Sequence, residues 1–277
     1  MKIFAVSDVH SFFTIMHNAL KEKGFEENNP EHLLVVCGDA FDRGPESKEM
    51  LEYIMSLNNV VLIRGNHEDL LEEMFERGYA QSHDMSNGTL RTVNDILYSQ
   101  PDKLDGSRDG FEIVQEIVQP YMDRLVNYFE TKNYVFVHGY IPLKSNDDMP
   151  YYYSRHRMFE YDPDWRNATE EGWAQARWIN GVEQANKGLL CDKTVVVGHW
   201  HCSWGHMWAD IREKGFLNAT IDEYGPTAIW EPYYGEKIVA IDRCTAYTNM
   251  CNVLVIEDDL LEDEPHDDQE RDLCQDT

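Results

Sequence analysis

Basic residues are scarce in this chain. Only 24 Lys and Arg stand against 51 Asp and Glu in 277 residues, a formal charge of −27. A surface so acidic repels phosphate backbones and disfavours non-specific nucleic-acid binding. It still allows an anionic substrate at a site that holds cations, whose charge dominates nearby. The cysteines Cys37, Cys191, Cys202, Cys244, Cys251 and Cys274 are scattered and form no C-x-x-C pair. That pattern fits free thiols in a reducing compartment. No apolar run is long enough for a bilayer, and no apolar signal region precedes the first strand-like run, so a soluble cytoplasmic protein is expected. There is no internal repeat. With 42% hydrophobic residues the chain can build a sizeable core, in one large domain or two small ones.

What is present is a repeated arrangement. Ile3-Phe4-Ala5-Val6 stops at Ser7-Asp8-Val9-His10. Leu33-Leu34-Val35-Val36-Cys37 stops at Gly38-Asp39, and Val60-Val61-Leu62-Ile63-Arg64 at Gly65-Asn66-His67. Tyr134-Val135-Phe136-Val137 stops at His138-Gly139, and Thr194-Val195-Val196-Val197 at Gly198-His199-Trp200-His201. Short β-branched runs predict buried strands. Burial does not explain why each ends on Asp, Asn or His. Ligands gather at strand ends in open α/β sheets, so these ends, brought together, would form one site.

Between the runs, apolar residues at helical spacing predict helices after each of the first three strands, the third ending near Gly78. Residues 79–110 read as a polar insertion with little core. A helix is expected from Phe111, with Pro120 kinking it or starting another that carries Leu125, Val126 and Phe129. Residues 140–175 form a second insertion, whose Tyr151-Tyr152-Tyr153, Arg155 and Arg157 would make an aromatic lid or simply pack on the body. A helix near 171–186, a Trp- and Gly-rich loop over 198–235, and strands at 237–241 and 252–256 paired antiparallel complete a single domain over 1–256. Residues 257–277 carry eleven acids against one Arg and read as a disordered tail.

Asp8 and His10 are two apart, which in an extended segment puts both side chains on one side to grip a cation. Asp39 has two oxygens and could bridge two cations. Asn66, His138 and His199 offer ligands for the second, and His201 could reach back to the first. Carboxylate, amide and imidazole donors without thiolate suit Mn²⁺, Fe or Zn²⁺, with Mn²⁺ the leading choice. Two such ions about 3.5–4 Å apart would activate a bridging water and clamp phosphate oxygens.

Asp8-Val9-His10, Gly38-Asp39-Ala40-Phe41-Asp42-Arg43-Gly44, Arg64-Gly65-Asn66-His67-Glu68, His138-Gly139 and Gly198-His199-Trp200-His201 together resemble the ordered motifs of the calcineurin-like metallophosphoesterases. The second and third are those of the phosphoprotein phosphatase branch, which includes bacterial diadenosine tetraphosphatases. The resemblance implies an α/β fold, an αββα sandwich of two mixed sheets flanked by helices. It implies that Asp8, His10 and Asp39 bind one metal, and that Asp39, Asn66, His138 and His199 bind the other. It further implies that His67 is the general acid oriented by Asp42, with attack by a metal-bridging hydroxide, and that Arg43 holds phosphate. Arg177 is the candidate for a second phosphate-binding arginine, with Arg155 and Arg157 as fallbacks. Tyr140, after His138-Gly139, departs from the pattern and would narrow the site or stack on substrate. His201 is usual in the wider superfamily rather than in the protein phosphatases.

The implied activity is hydrolysis of phosphomonoesters, phosphoserine and phosphothreonine among them. The alternative is a dinucleoside polyphosphate hydrolase, which Gly198-His199-Trp200 and Ile241-Asp242 resemble. A phosphodiesterase or nuclease, and a non-catalytic binding module on the same fold, are minor alternatives. The substrate would be a phosphorylated small molecule, a nucleotide or a phosphoprotein. No membrane is involved, and the oligomeric state is open.

Overall fold

A computed structural model describes residues 1–99, 108–145 and 158–261. Tyr151-Tyr152-Tyr153, Arg155 and Arg157, the core of the lid expectation, lie outside the described residues, as does the tail from residue 262.

The β-branched runs become strands. One sheet has the order β12-β1-β2-β3-β4, with β1 Lys2–Val6, β2 His32–Cys37, β3 Val60–Ile63, β4 Leu125–Val126 and β12 Leu254–Glu257. The other has the order β10-β11-β9-β6-β5, with β5 Phe129–Glu130, β6 Tyr134–Phe136, β9 Thr194–Val197, β10 Tyr233–Gly235 and β11 Ile238–Ala240. A hairpin of β7 Leu143–Ser145 and β8 Phe159–Tyr161 stands apart. Strands β1 to β4 run parallel, and so do β6, β9 and β11.

The two-residue period of each strand assigns the layers. Ile3, Ala5, Val35, Cys37 and Ile63 face Phe136, Val196, Val239 and Ile241 between the sheets. Phe4, Val6, Leu34 and Val36 face outward onto helices α1 Phe13–Glu22, α2 Ser47–Ser56, α3 Asn66–Arg77, α5 Thr89–Tyr98 and α6 Gly110–Met122. Val135, Val137, Val195 and Val197 pack outward against Trp165, Trp173, Ala176, Val182 and Cys202. These belong to or flank α7 Glu170–Ala176, α8 Gly181–Asn186 and α9 Cys202–Lys214. The result is the expected αββα sandwich. Both faces of β1 are fully buried, so a polar residue on either forfeits about 1.5–3 kcal/mol of burial per side chain.

Six local expectations are corrected. Residues 125–129 form strands β4 and β5, not a helix, while α6 runs through Pro120 and stops two residues later. The 79–110 segment carries α4 Ser82–Asn87 as well as α5, and Val93 and Ile96 enter the core. The expected 198–235 loop contains the 13-residue α9. Strands β11 and β12 do not pair with each other. The chain crosses between sheets through α10 Thr245–Thr248, so β11 lies parallel to β9 and β12 antiparallel to β1. The expected 171–186 helix is broken in two, because Asn180 caps α8 from its side chain. The acidic tail is ordered at its start: Asp258 is buried and accepts from Thr131 and Asn133. No helix among the described residues is long and apolar enough to cross a membrane.

Candidate metal centre

Five of the parallel strands, β1, β2, β3, β6 and β9, release their chains at one edge, and the released residues meet there. His138, after β6, reaches across to the other sheet and donates from Nδ1 to the Cys37 carbonyl at 2.9 Å. Gly38 permits this contact: its φ is +79°, and a Cβ there would lie 2.5 Å from His138 Nδ1. Asp8, His10, Ser11, Asp39, Asp42, Arg43 and His199 all adopt positive φ. Each such residue costs on the order of 1–3 kcal/mol and persists only where its surroundings over-determine it. The extended geometry expected at Asp8 and His10 is therefore not what brings them in; left-handed turns do.

Two clusters converge tightly enough to hold a metal ion: His10, Asp39 and His67, and Asp39, His138 and His199. They share Asp39. Its Oδ2 lies 3.8 Å from His10 Nε2 and its Oδ1 3.4 Å from His138 Nε2. The outer nitrogens fix the tautomers. His10 Nδ1 donates to the Phe41 carbonyl at 2.8 Å, and His138 Nδ1 to Cys37, leaving each Nε2 lone pair turned toward Asp39. Asn66 Oδ1 sits 2.8 Å from His138 Nε2. Asp8 belongs to neither cluster; its Oδ2 accepts from Ser7 and from the His199 amide, at 2.9 Å for the latter.

Electrostatics agree with a cation site. Burial, then the neighbouring charges of His67 and Arg43, pushes His10 well below the usual imidazole range. Burial, then His138 and His67, does the same to His199. Neutral imidazoles are what a metal requires. Burial also raises the Asp39 carboxyl, and burial with Asp8 beside it raises Asp242. A divalent cation supplies the charge that reverses such shifts. The donor set therefore fits divalent metal ions.

His67 lies beside the shared carboxylate. Its Nδ1 donates to Asp42 Oδ2 at 2.7 Å, and its Nε2 accepts from Arg43 at 3.1 Å. Burial lowers its pKa, but Asp39 and Asp42 outweigh that and lift it above the usual value. A cavity of about 300 Å³ opens over these groups, walled by Trp178, Trp200 and Tyr224, with Asp242 at its edge.

Three expected site residues are placed differently. Arg177 is buried, and its guanidinium is spent on Asp69 and Glu170, both at 2.7 Å, and on Asn127 at 2.8 Å. It lines a neighbouring groove rather than the cavity. Tyr140 is buried in the outer core and donates to the Leu189 carbonyl. His201 does line the cavity, but its ring nitrogens face Ser203 Oγ at 2.7 Å and Tyr224 Oη at 2.8 Å, so it joins neither cluster.

One residue had no role assigned from sequence. Glu68 is buried, and its carboxylate accepts from the backbone amides of Asp39 and Ala40 at 3.0 Å and of Gly65 at 2.8 Å. Tyr121 adds its hydroxyl at 2.9 Å. Glu68 thus ties the Asp39 turn to the start of α3. Its position three residues after Gly65 is the spacing of a helix-capping acid, a readable signal.

A two-sheet sandwich with a carboxylate shared by two histidine clusters, and an Asp-His pair beside them, defines a metallophosphoesterase-type centre. The family model of the calcineurin-like phosphoesterases matches residues 1–203, and the chain belongs to that family. It is similar to a symmetrical bis(5'-nucleosyl)-tetraphosphatase of Buchnera aphidicola subsp. Baizongia pistaciae, 33% identical over 69 residues, 24% of each chain. It is also similar to serine/threonine-protein phosphatase 2 of Escherichia coli K12, 33% identical over 76 residues, 27% of this chain and 34% of that one. The matched region thus spans only about a quarter to a third of the length of these relatives. Among solved structures, a cold-active protein-tyrosine phosphatase of a Shewanella species aligns with TM-score 0.49 and 15% identity, covering 92% of this chain and 75% of that one.

Proposed function

We propose that this chain is a metal-dependent phosphatase that hydrolyses phosphomonoesters. The observation that carries the reading is Asp39 shared between two clusters, with His67 facing the same cavity and Asp42 buried behind it on His67 Nδ1. Asp8, His10 and Asp39 would hold one cation, and Asp39, Asn66, His138 and His199 the other, with Mn²⁺ the leading candidate. Bound there, the cations would lower the pKa of a shared water and neutralise phosphate oxygens.

The rest falls to the protein. Arg43 is exposed on the cavity wall, free to turn its planar fork from His67 to two phosphate oxygens. His67 Nε2 then faces the leaving oxygen. With Arg43 turned away, Nε2 is open to take up a proton, and as the bond from phosphorus to that oxygen breaks, the electron pair left on oxygen takes that proton. Asp42 holds the imidazole orientation throughout. The buried thiols Cys37, Cys191, Cys202 and Cys251 are free, which supports a reducing, cytoplasmic location.

A second reading, hydrolysis of a dinucleoside polyphosphate, is favoured by the aromatic walls. Trp178 and Trp200 lie 5.8 and 5.9 Å from His199, ring to ring, and Tyr224 stands opposite against His201 at 4.8 Å. Planar bases stack on such surfaces. Purified protein with Mn²⁺, given a phosphoserine peptide, p-nitrophenyl phosphate and diadenosine tetraphosphate, separates the readings. Release of inorganic phosphate from the monoesters is the expected result. Cleavage of the dinucleotide alone would replace the first reading with the second.

A further inference from the structure

The Asp42 carboxylate is held by more than His67. Thr89 Oγ1 donates to its Oδ2 at 2.7 Å and Thr92 Oγ1 to its Oδ1 at 2.9 Å. The Asp42 backbone amide donates in return to Thr92 Oγ1 at 2.9 Å. Both threonines are fully buried. They open α5, yet neither hydroxyl caps its own helix: the residue before it is Gly88, and no side chain caps the α5 amides. Hydroxyls in a first turn ordinarily bond the helix itself. Here both are turned outward onto one carboxylate.

The rest of α5 fits that arrangement. Gly88 has φ +92° and presses on the Arg43 amide, where any Cβ would collide. Arg91 donates to the Arg43 carbonyl at 3.0 Å. Asp95, one turn on, accepts from the backbone amide of Ser47 at 2.6 Å, pinning α5 against the start of α2. The helix is thus docked on the Asp42-Arg43 turn along its length, and Asp42 keeps its left-handed φ of 76° inside that contact.

We propose that Thr89 and Thr92 are positioning residues for proton transfer: their hydroxyls fix the Asp42 carboxylate so that its Oδ2 holds His67 Nδ1–H and turns Nε2 to the cavity. The proposal rests on His67 acting as the acid in phosphoester hydrolysis. Neither threonine lines the cavity, so each acts only through Asp42. With both hydroxyls removed, the carboxylate keeps one donor side chain and can rotate about its own bond. His67 is then free to turn. Outer partners of this kind typically alter activity by about 10–100-fold.

The test is the Thr89→Val, Thr92→Val double variant, with Thr89→Ser, Thr92→Ser as its hydroxyl-retaining partner. The full chain, loaded with Mn²⁺, is assayed on an alkyl phosphate, whose leaving oxygen needs a proton, and on p-nitrophenyl phosphate, whose leaving oxygen does not. The Val pair should lose about tenfold or more in kcat on the alkyl ester relative to the aryl ester, with KM and metal content near wild type. The Ser pair should restore the wild-type ratio. In the chain loaded with diamagnetic Zn²⁺, the downfield proton resonance of His67 Nδ1–H, identified by its loss in His67→Asn, should move or vanish in the Val pair. Equal loss on both esters, a Ser pair no better than the Val pair, or an unmoved resonance would each overturn the proposal. A wild-type chain that binds metal but hydrolyses neither ester would overturn the phosphatase reading instead, and the resonance would still decide whether the threonines hold His67.

Discussion

His67 and Asp39 answer different questions, and their variants should part company. His67→Asn removes the proton donor and one side chain of the His10–Asp39–His67 cluster, but none of the proposed ligands Asp8, His10, Asp39, Asn66, His138 and His199. Metal content should stay near wild type while kcat on poor leaving groups falls by roughly 10²–10⁴-fold. Unchanged turnover on an alkyl phosphate would remove His67 from the role of acid. Asp39→Asn strikes the group shared by both clusters, so metal analysis after gel filtration should find less than two equivalents; two tightly held ions would rule out a bridge. Arg177→Met tests a residue whose sequence context pointed to phosphate. Its three partners are protein groups, so the variant should lose about 2–3 kcal/mol in urea unfolding and leave KM nearly unchanged. A large rise in KM with normal stability would return Arg177 to the site. The residues legible from sequence were those at strand ends, because a buried parallel strand announces its own terminus. Arg177 and Tyr140 were not, since nothing local says which way a side chain on a connecting segment turns.

Among the elements, β12 and the turn before β6 form a joint between the sheets. Asp258 accepts from Thr131 Oγ1 at 2.6 Å and from the backbone and side chain of Asn133 at 2.9 and 2.6 Å. Burial raises its pKa, but these hydrogen bonds more than reverse the effect, so the folded carboxyl lies below its usual value. A carboxyl lowered by folding contributes above its unfolded pKa, about 3.9, and loses that contribution as pH falls through the folded value. Asp258→Ala should therefore cost about 1–3 kcal/mol at pH 7, and the gap to wild type should narrow as pH falls below about 5. A gap that is constant with pH would assign the loss to packing alone. Strand identity was readable and partner choice was not. The runs at 237–241 and 252–256 sit close in sequence and still join different sheets, because pairing is decided by faces buried far along the chain. Helix α9 was hidden for another reason: Gly205 sits under the Tyr233 ring, where a Cβ would come within 2.6 Å. A glycine that reads as a loop signal is there a packing requirement.

At the scale of the whole molecule, the charge of −27 sets a field that opposes the approach of any anionic substrate until it nears the cations. Salt screens the long-range part first, the Debye length being about 10 Å at 0.1 M. Raising ionic strength should therefore increase kcat/KM for an anionic phosphoester. A steady decrease would mean that the short-range attraction of the centre governs capture. The alternating strand and helix patterns marked an α/β chain, while the two-sheet αββα arrangement was what the resemblance of the five motifs implied. The 79–99 segment was the exception: two of its polar residues, Thr89 and Thr92, are buried against Asp42 rather than in water.

The pairing of β1 with β12 also has a consequence for biosynthesis. Lys2 is matched with Glu257, so the strand that delivers Asp8 keeps one bare edge until some 250 further residues have been made. At about 5–20 residues per second that wait lasts roughly 13–50 s. During it the nascent chain presents an unprotected edge on a strand that is apolar from Ile3 to Val6, an invitation to edge-to-edge association. Loss of β12 would therefore show first as aggregation during expression, before any change in chemistry could be measured.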